Sequence, residues 1–266
     1  MKAVVIFKDL LSFLTAIPVG TRDESYLQTS ARYMFLFPLI GTLLGLLAAG
    51  YYHLCLLILS SLSAFLEKIF APAWEIFSRI FLTGATLSFL FTLTGLQHFD
   101  GLIDLGNAIG LKSIKKRLSA AHAWIVTRRG ALLAFIIEFL SFFGLFIVSP
   151  TNAATAIICS ETLAKLAMVT VAWFGKPAYK GLGSLFASHN RKKAINVLSY
   201  LITLLVVYPL VGILNSLILL VMCFSLGFIM EKISEVTFGG TSGDVIGSTN
   251  EIMRAISLIA FGLVIK

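Results

Sequence analysis

AINVLSYLITLLVVYPLVGILNSLILLVMCFSLGFIM, the run from Ala194 to Met230, decides how this chain is threaded. As a single helix its roughly 35 apolar residues would extend about 52 Å, far beyond a hydrocarbon core of about 30 Å. Pro209 and Gly212 fall near its middle and Asn215 follows, so the run reads as two short spans joined by a tight turn. Crossing twice returns Glu231 to Glu251 to the face on which Ala194 begins.

Other stretches are long enough to span: Tyr33 to Leu59, Ile76 to Leu96, Ala131 to Val148, and a fourth after Pro150-Thr151-Asn152 that ends near Phe174. Ile252 to Ile265 reads as a short final span or a half-buried helix. Between Gly20 and Ala31 lies a polar linker. Ahead of it, Leu10, Leu11, Leu14 and Ile17 recur at helical spacing, which predicts an amphipathic helix lying against the membrane. Lys8 and Asp9 stand where a cleavable signal would have its apolar core, so export by such a signal is not expected. The expected fold is all-α, a polytopic membrane bundle of about six to seven transmembrane helices plus the amphipathic helix, with 1–266 as a single membrane-embedded catalytic domain.

Composition agrees, with 58% hydrophobic and 13% charged residues. The net charge of +8 marks loops and anionic head groups rather than nucleic acid in so apolar a chain. Gln97 to Gly130 carries Lys112, Lys115, Lys116, Arg117, Arg128 and Arg129. Gly175 to Ala194 carries Lys176, Lys180, Arg191, Lys192 and Lys193. Both segments are therefore expected in the cytoplasm, with the multi-pass chain in the cell membrane. Cys55, Cys159 and Cys223 are odd in number, far apart and within apolar runs, so they read as buried thiols.

Where the second span ends stands His98-Phe99-Asp100-Gly101-Leu102-Ile103-Asp104, with Asn107 three residues on. On a helix Asp100, Asp104 and Asn107 make one stripe of oxygen donors. Carboxylates suit hard cations, and Mg²⁺ is commonly held by one or two of them plus substrate phosphates. The plainer reading has Asp100 capping a helix and Asp104 solvated. A second polar run, Phe238-Gly239-Gly240-Thr241-Ser242-Gly243-Asp244, precedes Val245 to Glu251. Its glycines and hydroxyls, Gly240, Ser242 and Gly243 among them, can present backbone N–H groups to a phosphate at a helix start. A flexible turn with Asp244 as cap is the alternative. Arg128 and Arg129 border both a span and this site and suit phosphate oxygens, whereas the other basic residues serve topology. Glu161 and Lys165 pair at i, i+4 inside the fourth span, either structurally or along a substrate path. His122 and His189 lie in basic loops and read as solvated.

These motifs resemble those of the cobalamin synthase family, the adenosylcobinamide-GDP ribazoletransferases. The run from His98 to Asp104 resembles its His-x-Asp-Gly-Leu-x-Asp signature. Gly239-Gly240-Thr241-Ser242-Gly243-Asp244 with Gly247 and Glu251 resembles its second motif. Phe13 to Val19 resembles its opening, and Gly181-Leu182-Gly183 its middle loop. Two positions depart: Asn107 stands where the family commonly has a third aspartate, and Val126 where it has the aspartate of Asp-x-Arg-x-Gly. The resemblance implies that α-ribazole or its 5′-phosphate attacks adenosylcobinamide-GDP, releasing GMP and forming adenosylcobalamin or its phosphate. It implies Mg²⁺ on Asp100 and Asp104, with Asp244 as a further ligand or the base and His98 as the other candidate base. It also leaves room for a homo-oligomer or a complex with other enzymes of nucleotide-loop assembly.

Among rival readings, a phosphotransferase of the CDP-alcohol type would carry an Ala-Arg pair that is missing after Asp104. An ion-coupled transporter would place its carboxylates at the bilayer midplane rather than at span ends. A scaffold without catalysis would leave both polar motifs idle.

Overall fold

A computed structural model describes residues 2–19, 24–177 and 181–265, and the described residues contain helices and no strand. Lys180 and the first residues of the expected linker lie outside them. In chain order the helices are α1 (Lys2–Leu14), α2 (Glu24–Arg32), α3 (Phe37–Phe70), α4 (Trp74–Thr94), α5 (Gln97–Ala108) and α6 (Ile114–Ala121). There follow α7 (Arg128–Ile147), α8 (Ala153–Phe174), α9 (Leu182–Asn190), α10 (Val197–Phe238) and α11 (Gly243–Leu263).

Among the described residues five helical stretches are long and apolar enough to cross a membrane: Met34–Phe70, Trp74–Thr94, Arg128–Ile147, Ala153–Phe174 and Ala194–Phe238. The fifth doubles back on itself. Gly212 has φ 76° and ψ 172°, a non-helical conformation inside the run, and only glycine enters that region at little cost. Tyr200 and Phe224 would lie about 36 Å apart along an unbroken helix, yet their ring centroids are 6.3 Å apart. The run is therefore two antiparallel arms, as Pro209 and Gly212 predicted. With α11 packed into the bundle, the membrane-embedded helices number within the expected six to seven.

α8 is the axis of the molecule. Every residue from Cys159 to Ala172 is buried, whereas α3, α4, α7 and α10 expose leucines, isoleucines and phenylalanines such as Leu57, Phe65, Phe135, Leu205 and Leu214. Large apolar side chains facing outward on four helices, around one that is buried, describe a bundle whose solvent is lipid. The three cysteines are buried free thiols, as expected.

Several boundaries moved. α3 continues through Glu67 and Lys68 to Phe70, because helix-forming residues persist until Pro72 stops it. The linker holds α2, and the two basic loops hold α6, capped by the Ser113 hydroxyl, and α9. The last helix starts at Gly243, nine residues before the expected Ile252, so the glycine-rich motif opens a buried helix.

Candidate active site

Two consecutive left-handed residues separate the apolar α4 from the aspartates. Gly95 (φ 63°) caps α4, and Leu96 (φ 60°) repeats the conformation, which a leucine adopts only under constraint from its surroundings. The chain turns sharply there and starts α5 as a separate helix. Along α5, His98, Gly101, Leu102 and Leu105 are buried, while Asp100 is exposed and Asp104 partly so.

Gly101, between the aspartates, sets the distance to α11. A Cβ on it would stand 2.6 Å from the Asp244 carbonyl oxygen and 3.0 Å from the Ser248 nitrogen. Only a hydrogen fits at that crossing. The approach brings the acidic face of α5 beside the start of α11, uniting two motifs 140 residues apart in the chain. Asp100, Asp104 and Asp244 line one cavity of about 380 Å³ together with His98 and His122.

The glycine-rich turn is held by its own neighbours. The Ser234 hydroxyl donates to the Gly240 carbonyl (2.8 Å) and accepts from the Ser242 amide (3.0 Å), and the Thr241 amide donates to the Lys176 carbonyl (2.8 Å). The Ser242 hydroxyl caps α11, accepting from the Asp244 amide (3.2 Å) and donating to Asp244 Oδ2 (2.9 Å). Gly240 and Ser242, expected to bind phosphate, are therefore turn builders outside the cavity wall, and only Gly243 of the three reaches it. A second loop lies on this turn: a Cβ on Gly183 would meet the Gly243 nitrogen and the Thr241 carbonyl oxygen at 2.5 Å. Gly181, Leu182 and Gly183 thereby become cavity wall.

Three more of the expected site residues do not line the cavity. Asn107 is buried and fully engaged: its Nδ2 donates to the Ile125 carbonyl (2.8 Å), and its Oδ1 accepts from the Thr127 amide (3.0 Å) and hydroxyl (2.7 Å). It pins the loop before α7. Arg129 donates to the Ile109 carbonyl (2.9 Å) and lies against Gly110, closing the end of α5. Arg128 is exposed in the first turn of α7, and neither arginine lines the cavity.

The cavity also has an aromatic wall, of which only Phe13 fell within a motif recognised in the sequence. Phe13 of α1, Phe37 of α3 and Phe186 of α9 form a cluster with ring centroids 4.9–5.9 Å apart, beside Met168. Sharing the same aspartates, Asp100, Ile103, Asp104, His122, Trp124, Ile125 and Val126 border a second cleft of about 240 Å³. His122 stands between the two, with Nε2 3.9 Å from Asp244 Oδ2. Its loop position suggested a solvated role, and only the folding of α6 beside α5 reveals this one.

Burial and the neighbouring Asp244 and Asp100 push the Asp104 carboxyl up to about 6, with His122 opposing. A cation among these carboxylates would reverse that cost. Among the described residues, no three His, Cys, Asp or Glu side chains are gathered closely enough to hold a metal ion by themselves. Asp100, Asp104 and Asp244 thus share a cavity without forming a closed ligand set. A Mg²⁺ ion held there would need substrate oxygens and water to complete its shell.

Beneath the cavity lies a polar network sealed within the bundle. Arg254 of α11 bonds Glu161 of α8 and Glu251 of its own helix. Lys165 Nζ donates to Asn250 Oδ1 (2.5 Å) and lies 3.8 Å from Glu161 Oε2. All five are buried. His98 Nδ1 stands 3.9 Å from Glu251 Oε1, which links the network to the cavity. Burial, with Lys165 and Arg254 nearby, holds the His98 pKa well below its ordinary value. The Glu161–Lys165 pair is therefore structural, one edge of a larger cluster.

A family model described as cobalamin-5-phosphate synthase matches residues 6–262. An adenosylcobinamide-GDP ribazoletransferase of Methanocella arvoryzae is 29% identical, with 96% of this chain and 94% of the relative covered. Proteins of the same name from Halorubrum lacusprofundi (29%; 94% and 93% covered) and Clostridium kluyveri (25%; 96% and 95%) are also similar. No solved structure matches. The match runs through both aspartate motifs, the aromatic wall and the buried network alike, and the chain belongs to the cobalamin-5-phosphate synthase family.

Proposed function

We propose that the chain is an adenosylcobinamide-GDP ribazoletransferase, catalysing the nucleotide-loop assembly step of cobalamin biosynthesis. A ribose hydroxyl of α-ribazole, or of its 5′-phosphate, attacks the cobinamide-bearing phosphorus of adenosylcobinamide-GDP. A new P–O bond forms, the pyrophosphate P–O bond breaks, and GMP leaves with the bonding pair. The single observation that carries this reading is the meeting of Asp100, Asp104 and Asp244 in one cavity at the end of the apolar spans, in a chain of this family.

Phosphoryl transfer asks a protein mainly to position groups and to neutralise charge. Asp100 and Asp104 would hold Mg²⁺, which when bound neutralises the pyrophosphate and fixes its oxygens. The raised Asp104 pKa supports this, since crowded carboxylates lack a counter-charge. For the hydroxyl proton we favour Asp244: it borders the cavity at the open end of α11 and has His122 beside it. His98, held neutral by burial and nearby cations, is suited to orienting the hydroxyl. The basic residues around the site favour a cytoplasmic face.

The test is GMP release by purified protein in liposomes given adenosylcobinamide-GDP, α-ribazole and Mg²⁺. Absence of a corrinoid product with either riboside would sink the reading. Asp100→Asn retaining wild-type turnover across a Mg²⁺ titration would remove the metal assignment.

A further inference from the structure

In-line transfer requires the attacking group and the leaving group to lie on opposite sides of one phosphorus. Two clefts share one pair of aspartates here. Asp100, Asp104 and His122 border both, so a phosphorus seated against the aspartates adjoins both clefts. The clefts differ in kind. The larger is roofed by Phe13, Phe37 and Phe186, contributed by three separate helices. The smaller is edged by Trp124, a residue 97% exposed whose backbone is left-handed at φ 55°. A tryptophan held out in that conformation beside a cleft offers its ring face for stacking.

We infer that the two clefts divide the substrates: the phenylalanine-walled cavity receives the aromatic base of the riboside nucleophile, and the Trp124 cleft receives the guanine of the departing nucleotide. This rests on the ribazoletransferase reading and goes beyond it. Size decides which substrate enters the larger cavity. At about 380 Å³ it suits a nucleoside-sized ligand, whereas a corrin macrocycle with its side chains does not fit and must stay outside the mouth. Openness decides the other assignment. Trp124, Ile125 and Val126 are all exposed, so a nucleotide stacked there leaves without any helix moving. The reaction's atoms follow this partition: the riboside oxygen arrives from the phenylalanine side, and the bridging oxygen departs with GMP on the Trp124 side.

The experiment uses the full-length protein in liposomes. GMP is titrated alone against intrinsic tryptophan fluorescence, and KM values are then measured separately for α-ribazole and adenosylcobinamide-GDP. Wild type should show quenching by GMP. Trp124→Leu should lose it and raise KM for adenosylcobinamide-GDP by roughly fivefold to a hundredfold, the range for loss of one base stack. KM for α-ribazole should stay within about twofold. Phe13→Leu, which conserves volume, should raise KM for α-ribazole and leave GMP quenching intact. Leu182→Ala, a change at a half-exposed wall residue, provides the same readout if Phe13→Leu fails to fold. GMP binding unaffected by Trp124→Leu, or a Trp124 effect confined to the riboside, overturns the division. Quenching by GMP in a protein that makes no corrinoid product would support the Trp124 cleft while refuting the reaction.

Discussion

Replacing Asp104 by asparagine should stabilise the metal-free protein while removing its activity. The Asp104 carboxyl titrates near 6 rather than at its ordinary 3.8, because burial, Asp244 and Asp100 all disfavour its charge. About two pKa units correspond to about 3 kcal/mol. Asp104 is partly exposed, and water screening reduces this to about 1.5 kcal/mol. The sign follows from proton linkage. The folded state holds the proton more tightly than the unfolded one, so the penalty is full above about pH 6 and fades toward pH 4. Asparagine carries no such penalty. For a chain of this size the gain is roughly 3–6 °C in Tm. Cys55, Cys159 and Cys223 are buried free thiols, so a thiol-reactive fluorophore reports unfolding in detergent. At pH 7.5 in EDTA, Asp104→Asn should melt above wild type, and the gap should close by about pH 4. Mg²⁺ should raise wild type and not the variant. A variant no more stable at pH 7.5, or a gap that persists at pH 4, refutes the reasoning.

Other perturbations separate geometry from chemistry. Gly101→Ala should abolish turnover with every carboxylate intact, because its Cβ forces α5 off α11 at Asp244; preserved GMP release would refute the crossing. Asn107→Asp loses the Nδ2 donor and sets a carboxylate against the Ile125 carbonyl; a loss of roughly 2–3 kcal/mol is expected, read as a lower Tm without a gain in metal affinity. Arg254→Met leaves Glu161 and Glu251 without their shared partner and should cost roughly 3–5 kcal/mol, a loss that adding Glu161→Gln partly restores. Tags at residues 185 and 242 should report the same face of the membrane; opposite faces would undo the reversal at Gly212.

The spans, the reversal and the aspartate pair were legible because each leaves a local mark: length, a Pro–Gly interruption, charge in an apolar setting. Spacing also put Asp100, Asp104 and Asn107 on one stripe, yet only the aspartates reach the cavity. Asn107 turns to the loop ahead of α7 because Gly106 and Gly130 bring those segments together, and no periodicity encodes a partner twenty residues away. Arg129 is likewise placed by a partner twenty residues away, the carbonyl of Ile109. Phe37 and Phe186 were hidden among 22 phenylalanines, and they meet Phe13 only where α1, α3 and α9 converge. Gly183 was visible only through the middle-loop resemblance because its meaning is steric, a backbone contact with Gly243.

The buried cluster on α8 and α11 also bears on how the protein is made. α11 carries Glu251 and Arg254 through the middle of the bundle, and an isolated helix bearing such charges enters lipid at considerable cost. Glu161 and Lys165 are by then already emplaced on α8, synthesised some ninety residues earlier. The last helix therefore partitions as a partner of α8, not on its own hydrophobicity. Docking of α11 on α8 and α5 also brings Asp244, in its first turn, to the cavity of Asp100 and Asp104. A chain whose α11 has not docked lacks that third carboxylate.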